Sequence, residues 1–254
     1  MEVNPDGKTV YFGRYLSYEH DRMNLGVLSL DSNGQPIGNV TYFRDCTESL
    51  PRSKKHNVAT STVVKIILNW SQMIKKLYLI AVSDLSIQNV IGRYHLSTYD
   101  LDSNGYPIAL TLRSFLSPIY KNSQYHLYSL ALNTTNNKIY LGGDDSAIWG
   151  WRLDSDGNII GEPKRYDDIG TPGIYDIAVN FELKHLYFGS KDSSNNAILA
   201  VMDIDPNGDL IVSSVSPQSF GRSNSTDEAN AYLQFHYTPK AIYQRRTSMP
   251  YLNV

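Results

Sequence analysis

The side chains best able to take part in binding or catalysis lie in polar segments between apolar runs of this sequence. The candidate ligand-binding residues are Arg14, Glu19, His20, His126, Asp144, Asp145, Tyr175, Asp176, Lys191 and Asp192. A histidine can act as a general base, and an arginine or lysine can hold an anionic group. The sequence contains no nucleophile beside a base, no closely spaced histidine cluster and no glycine-rich phosphate loop. We therefore expect a binding surface in preference to a catalytic centre, and no cofactor.

Among metal sites, the sequence most resembles a calcium-binding loop. Four copies of Asp-(Ser/Pro)-(Asn/Asp)-Gly occur at 31–34, 102–105, 154–157 and 205–208, and they resemble the start of a calcium loop. Such a loop needs a distal glutamate; none stands at the required distance, because Glu162 follows Gly157 too closely. We expect no metal site. The single cysteine, Cys46, excludes an intrachain disulfide and is not expected to act as a nucleophile.

The same four motifs have a structural explanation as hairpin turns. The aspartate side chain can accept hydrogen bonds from backbone two residues further on, and the glycine can adopt a positive φ. Each motif follows an alternating apolar run, which indicates a strand. Each turn is therefore expected to join the third strand of a unit to its outermost strand.

A second marker precedes each turn and shows that the chain is built of repeats. It is an aliphatic residue, a tyrosine and then an aliphatic or aromatic residue, centred on Tyr11, Tyr78, Tyr140 and Tyr187. The later turns follow one another at about fifty residues, the length of a propeller blade. The repeat units are approximately 1–45, 56–118, 123–166, 171–220 and 229–244.

These repeats predict an all-β chain, because alternation with a period of two dominates and no amphipathic stretch of helical length competes. The predicted fold is a β-propeller of about four four-stranded blades plus a partial fifth, in a single domain spanning 1–254. Packing between blades is expected to bury the residues that flank the four tyrosines. They are Val10, Phe12, Leu77, Leu79, Ile139, Leu141, Leu186 and Phe188.

The two ends of the chain allow two interpretations of how this propeller closes. The first blade is expected to lack its innermost strand, while a spare innermost strand is predicted at 231–237. One interpretation is a closed four-bladed ring in which 231–237 pairs beside 9–13. The other is an open arc, or a fragment of a larger propeller. We favour the open arc because a fifth unit begins with 241–244.

The tyrosine-centred strands and the DxNG hairpins resemble those of the YVTN and lactonase-type β-propeller superfamily, which includes proteins similar to 6-phosphogluconolactonase. The resemblance covers most of the chain, but its motifs are structural. It implies, as one alternative to a non-catalytic binding or scaffold protein, a hydrolase of a sugar lactone. His126 or His20 would then act as the base, and Arg14 or Lys191 would hold an anionic substrate. A lectin-like sugar binder is the other alternative.

Composition narrows the partners and the compartment. A net charge of −2 gives no electrostatic case for nucleic acid or membrane as a partner. We expect an unknown protein, a small molecule or a sugar as ligand, together with self-association through open sheet edges. The N-terminus lacks the apolar core of a signal peptide, so a cytoplasmic location is favoured. Asn-x-Ser/Thr sequons at Asn39, Asn69, Asn133 and Asn224 are attributed to chance in a sequence rich in polar turns.

Overall fold

The structure is a computed structural model, and it describes residues 1–13, 25–43, 60–71, 73–84, 93–116, 127–192, 194, 196–219, 234–238 and 241–245. Its regular elements are β-strands and one short 3-10 helix, Ala109–Thr111, with no α-helix in those ranges. The prediction of an all-β chain is confirmed. Over the same ranges, no helix has the length and apolarity needed to cross a membrane.

Sixteen of the strands form four antiparallel sheets of four, in chain order. Sheet 1 contains β1 Glu2–Val3, β2 Thr9–Gly13, β3 Leu25–Leu30 and β4 Pro36–Phe43. Sheet 2 contains β5 Thr60–Trp70, β6 Lys75–Asp84, β7 Arg93–Asp100 and β8 Arg113–Leu116. Sheet 3 contains β9 Leu127–Asn133, β10 Lys138–Gly143, β11 Ile148–Leu153 and β12 Ile159–Tyr166. Sheet 4 contains β13 Asp176–Asn180, β14 His185–Lys191, β15 Ala197–Ile204 and β16 Leu210–Ser219. The remaining two strands, β17 Gln234–Thr238 and β18 Ala241–Arg245, form a C-terminal hairpin.

The sheets follow one another in a propeller-like arrangement. Strand β5 lies beside β1 and β9, and β13 lies beside β9 and β17, so the innermost strands are neighbours in chain order. Each sheet runs outward from its innermost strand to its fourth strand. The fold is thus a succession of similar four-stranded units, as the repeats predict.

The predicted DxNG turns form in all four sheets. In the first, Asp31 Oδ1 accepts hydrogen bonds from the backbone N–H groups of Asn33 and Gln35, both at 2.8 Å. Gly34 has a φ of +75°, a conformation that favours glycine. Asp102, Asp154 and Asp205 hold their turns in the same way.

The expectation that sheet 1 lacks an innermost strand is wrong. Residues Glu2 and Val3 form β1 and pair with Tyr11 and Val10. The side chain of Asn4 makes this short strand possible, because its Oδ1 accepts hydrogen bonds from the backbone N–H groups of Lys8 and Thr9 and so closes the turn into β2.

The pairing expected for a closed four-bladed ring is also not formed. The inner edge of β2 is occupied by β1, so it is not available to the C-terminal strand. Instead, β17 pairs with β18, from Gln234 opposite Arg245 to Thr238 opposite Ala241. The C-terminal hairpin therefore extends the series of sheets beyond sheet 4.

Each pair of neighbouring sheets encloses an apolar cluster. Tyr11, Leu25 and Val27 of sheet 1 pack with Leu77 and Leu79 of sheet 2. Corresponding clusters lie between sheets 2 and 3 and between sheets 3 and 4. Six of the eight residues predicted to be buried beside the tyrosines are buried: Leu77, Leu79, Ile139, Leu141, Leu186 and Phe188. Val10 and Phe12 in sheet 1 are only partly buried.

A hydrogen bond from the repeated tyrosine to the repeated turn joins each sheet to the next. Tyr11 donates to the carbonyl of Gly105, Tyr78 to that of Gly157, and Tyr140 to that of Gly208, each at 2.6 Å. All three tyrosines are fully buried. Burial raises the pKa of each phenol, that of Tyr140 to about 12. The two sequence markers are therefore the two halves of one contact between sheets.

A buried asparagine lies near the end of each innermost strand. The four are Asn4, Asn69, Asn133 and Asn180. In sheet 3, the side-chain amide of Asn133 donates to Asn136 Oδ1 at 3.1 Å and to the Tyr140 hydroxyl at 3.4 Å. The sequons at Asn69 and Asn133 are thus buried structural amides, whereas Asn39 is exposed on β4.

Candidate functional site

Sheets 3 and 4 bring most of the described candidate residues to one end of the molecule. Asp144 and Asp145 lie in the loop between β10 and β11. Tyr175 and Asp176 lie where the chain enters β13, and Lys191 ends β14. The backbone of Gly173 comes so close to this loop that a Cβ there would lie 3.3 Å from Asp144 Cα. The loop of sheet 3 and the segment leading into sheet 4 therefore form a single surface, here called the loop face.

A stack of aromatic rings lies beside Asp144 on this face. The rings of Tyr128 and Tyr175 are stacked with centroids 5.4 Å apart, and the Tyr128 hydroxyl donates to Asp144 Oδ2 at 3.3 Å. Lys191 Nζ lies 5.3 Å from the centroid of the Tyr175 ring, within range of a cation–π interaction. Burial, and then the charge of Asp144, raise the pKa of Tyr175. Three predicted residues, Asp144, Tyr175 and Lys191, are thus in one cluster.

Asp145 is the most deeply buried carboxylate of the face. The indole Nε1 of Trp149 donates to Asp145 Oδ2 at 2.7 Å, and Arg165 Nε lies 3.8 Å from the same oxygen. The Arg165 guanidinium also lies 5.4 Å from the centroid of the Trp149 ring and pairs with Asp167. Burial raises the pKa of Asp145, although the hydrogen bond from Trp149 and the charge of Arg165 act in the opposite direction.

An open cleft of about 570 Å³ lies against Asp145. It is lined by residues 145–146, 165 and 167–172. Two buried polar atoms of this lining, Asp145 Oδ1 and Thr171 Oγ1, have no hydrogen-bond partner within the described part of the chain. A buried polar atom without a partner is costly, so a polar group that reaches both atoms would be stabilised there.

Asp176 takes part in a contact between non-adjacent sheets. Its Oδ1 lies 3.3 Å from Lys65 Nζ, which comes from the innermost strand of sheet 2. The two residues have equivalent positions in their sheets. Lys65 lies two residues before the residue opposite Tyr78, and Asp176 lies two residues before the residue opposite Tyr187. Burial raises the pKa of Asp176, and Lys65 counteracts part of that rise.

Asp192 has a structural role in the turn between β14 and β15. Its Oδ1 accepts hydrogen bonds from the backbone N–H groups of Ser194 and Asn196, both at 2.8 Å. The side-chain amide of Asn196 donates to Asp192 Oδ2 at 2.7 Å. These bonds lower the pKa of Asp192. Arg14, Glu19, His20 and His126 lie outside the described residues.

Four residues of the face were not anticipated: Tyr128, Trp149, Arg165 and Thr171. Tyr128, Trp149 and Arg165 lie on strands and were assigned to the sheets, while Thr171 lies in the segment between sheets. A signal was present for Trp149, because Trp149 and Trp151 are two residues apart, and alternation along a strand places both indoles on one face of the sheet. Both pack against the cluster between sheets 2 and 3, as this spacing predicts.

Over the described residues, no group of three or more histidine, cysteine or acidic side chains is placed to bind a metal ion. Comparisons with protein-family models and with curated proteins find no significant match to this chain. The fold and the site together define an all-β protein of propeller-like sheets with a polar cleft on its loop face.

Proposed function

We propose that this chain is a β-propeller in which sheets 1 to 4 are blades and the C-terminal hairpin begins a fifth, in an open arc. We further propose that it is a non-catalytic binding protein whose ligand is held at the loop face of sheets 3 and 4. The observation that carries this proposal is the pair of unpartnered polar atoms, Asp145 Oδ1 and Thr171 Oγ1, that line one cleft.

The chemistry of the cleft suits a small polyhydroxylated molecule such as a sugar. Asp145 Oδ1 is an acceptor that needs a donor, and the Thr171 hydroxyl can either donate or accept. The Arg165 guanidinium, which is partly exposed, can donate to a ligand oxygen. Sugar hydroxyl groups donate and accept in alternation, so neighbouring hydroxyls of one ring match this set. The proposed function is therefore that of a non-catalytic, lectin-like sugar-binding protein.

The charged groups of the face favour binding over catalysis. Arg165 pairs with Asp145 and Asp167, Asp144 accepts from Tyr128, and Lys191 lies over Tyr175. A general base must be able to exchange a proton with its substrate, and a side chain that is already engaged in an ion pair, a hydrogen bond or a cation–π contact does so less readily. The face therefore resembles an organised recognition surface.

Trp149 supplies a direct assay. Its indole donates to Asp145, so a ligand that reaches the carboxylate is expected to change the tryptophan fluorescence. Glucose, galactose, mannose and gluconate serve as probes, with glucono-lactone as the test for hydrolysis. We expect saturable binding of at least one neutral sugar, weakened about tenfold in Thr171→Val. Asp156→Asn, in an exposed turn of the same sheet, is the matched control and should bind normally.

Two outcomes would overturn the proposal. Fluorescence and calorimetry that show no binding of any probe would remove the cleft as a sugar site. Turnover of glucono-lactone that is lost in Asp145→Asn and kept in Asp156→Asn would replace the binding protein by a lactonase-like hydrolase.

A further inference from the structure

The contact between neighbouring sheets has two halves, and these define two faces of every sheet. The trailing face carries the repeated tyrosine, and the leading face carries the turn glycine with four apolar residues from the second and third strands. In sheet 2 the four are Leu77, Leu79, Tyr99 and Leu101, all buried beneath sheet 1. The equivalents in sheet 3 are Ile139, Leu141, Trp151 and Leu153, and in sheet 4 they are Leu186, Phe188, Met202 and Ile204. All twelve have exposures of 6% or less.

Sheet 1 has the same leading face, and in the part of the chain that the structure describes no sheet lies against it. The equivalent residues are Val10, Phe12, Leu28 and Leu30, and all four are only partly buried. The turn differs in the same way, since Gly34 is exposed whereas Gly105, Gly157 and Gly208 are buried. A Cβ on Gly105 would lie 2.8 Å from the Tyr11 hydroxyl, whereas a Cβ on Gly34 would have no atom within 4 Å. The leading face of sheet 1 is thus the acceptor half of a contact that the molecule forms three times.

We propose that this face binds the C-terminal end of a second copy of the chain, head to tail. The three internal contacts specify the occupant, because in each of them the acceptor half is covered by a sheet with a tyrosine on its second strand. The chain carries such a strand at its other end in β18, where Tyr243 has the third position of the strand, as Tyr11 does in β2. This inference does not depend on the ligand site of the loop face.

The position of the C-terminal hairpin favours a second copy over closure within one chain. Strand β17 lies beside β13, at the far end of the series of sheets, and pairs with β18. The innermost place in sheet 1 is taken by β1. A contact between unlike faces of two copies is heterologous, so it produces a ring where the rotation closes and a filament where it does not.

Sedimentation velocity over a wide range of protein concentration tests the association. We expect the full chain to associate, and Gly34→Asn to weaken that association about tenfold or more. Asparagine tolerates the positive φ of this turn, and its side chain occupies the space that the incoming hydroxyl requires. Gly161→Asn is the matched control, since Gly161 has a φ of +69° and equally open surroundings on the outermost strand of sheet 3.

A second pair of variants addresses the apolar part of the face. Leu28→Glu should also weaken association, whereas Leu110→Glu, an equal change at a fully exposed leucine, should not. Thermal unfolding checks that each variant remains folded. A chain that stays monomeric throughout, or that associates equally well as Gly34→Asn and as Leu28→Glu, overturns the proposal.

Cross-linking of an equal mixture of isotopically light and heavy chains identifies the occupant. The expected product links Lys8 of one chain to a lysine within residues 184–245 of the other, which gives a mixed-isotope peptide pair. If only chains of the same isotope are linked between these regions, the C-terminal end covers its own sheet 1, and the second copy is excluded as the occupant.

Discussion

The hydroxyl of Tyr78 in sheet 2 donates a hydrogen bond of 2.6 Å to the backbone carbonyl of Gly157 in sheet 3. The tyrosine is fully buried, and the glycine is buried beneath it. Because a buried carbonyl needs a hydrogen-bond donor, the phenol of Tyr78 satisfies this carbonyl. Tyr11 and Tyr140 make the same hydrogen bond to the next sheet. This repeated contact between the tyrosine of one sheet and the turn glycine of the next is here called the joint.

Removing the hydroxyl in Tyr78→Phe should lower the free energy of unfolding by about 1 to 3 kcal/mol, because it leaves a buried acceptor without a donor. Urea unfolding followed by circular dichroism measures the change. Tyr106→Phe is the control: its hydroxyl bonds to Ser29 Oγ in a partly buried place where water can substitute, so the loss should be smaller. Equal losses for the two variants would contradict a special role for the joint.

Truncating Leu186 to alanine should cost about 2 to 5 kcal/mol, since the side chain is fully buried between sheets 3 and 4 and a cavity would remain. Leu183→Ala, three residues earlier in an exposed turn, should change stability by less than about 0.5 kcal/mol. Chemical unfolding of both variants gives the comparison. A loss below half a kcal/mol for Leu186→Ala would mean that the strand is misplaced.

The carboxylate of Asp209 should make stability depend on acid pH. Burial opposes its ionisation, but hydrogen bonds from Lys138, Tyr166 and Lys164 outweigh this and lower its pKa below the usual 3.8. A lowered pKa in the folded state contributes stability above the unfolded value and loses it as the pH falls through the folded value. Asp209→Asn should therefore be less stable than the wild type by about 1 to 3 kcal/mol at neutral pH.

The difference between wild type and Asp209→Asn should narrow as the pH falls below 3.8. Unfolding curves at neutral and acid pH measure it. Asp203→Asn, at a half-exposed carboxylate beside His185, is a control that should lower the stability at neutral pH by less than Asp209→Asn does. A difference that is independent of pH would show that Asp209 acts through packing alone.

Replacing Lys65 by methionine should raise the pKa of Asp176 further, because burial already raises it and Lys65 is the charge that opposes the rise. The titration of the Asp176 carboxyl by carbon NMR measures the shift. An acid with a raised folded pKa stabilises the protein at low pH and loses that contribution as the pH rises from the unfolded to the folded value. In Lys65→Met, the loss of the stability contributed by Asp176 should therefore extend to a higher pH.

Lys75→Met is the matched control for this titration, because Lys75 lies over the Trp70 ring and away from Asp176. The control should leave the Asp176 titration unchanged. An unchanged titration in Lys65→Met would show that the ion pair between sheets 2 and 4 is not formed in solution.

The sequence predicted the repeated parts of this fold, but not how one unit contacts the next. The tyrosine of β6 and the glycine of the next DxNG turn were each evident, since each has a local pattern. Their contact was not, because strand alternation reports on one sheet and carries no information on which faces meet. The prediction that sheet 1 lacks its innermost strand was wrong for a similar reason. The two residues of β1 are held in place by the hydrogen bonds of the Asn4 side chain and show no alternating pattern of their own.

The loop face was predictable in location and less so in composition. Asp144, Tyr175 and Lys191 were expected from polar segments between strands, and they do lie together. Arg165 and Trp149 were not expected, since both belong to strands by pattern, and only the fold brings them to Asp145. A side chain at the end of a strand can serve the strand and the site together, and local periodicity cannot separate these roles.

The joint between sheets spans very different lengths of chain. Its two partners are separated by 94 residues in the first case, 79 in the second and 68 in the third, yet the hydrogen bond has the same length in all three. The intervening polypeptide therefore does not set the geometry of the contact. Because loop closure costs little more free energy as a loop grows, peptide insertions in the segments that connect the sheets should leave the scaffold intact, which makes those segments suitable places to graft new binding loops.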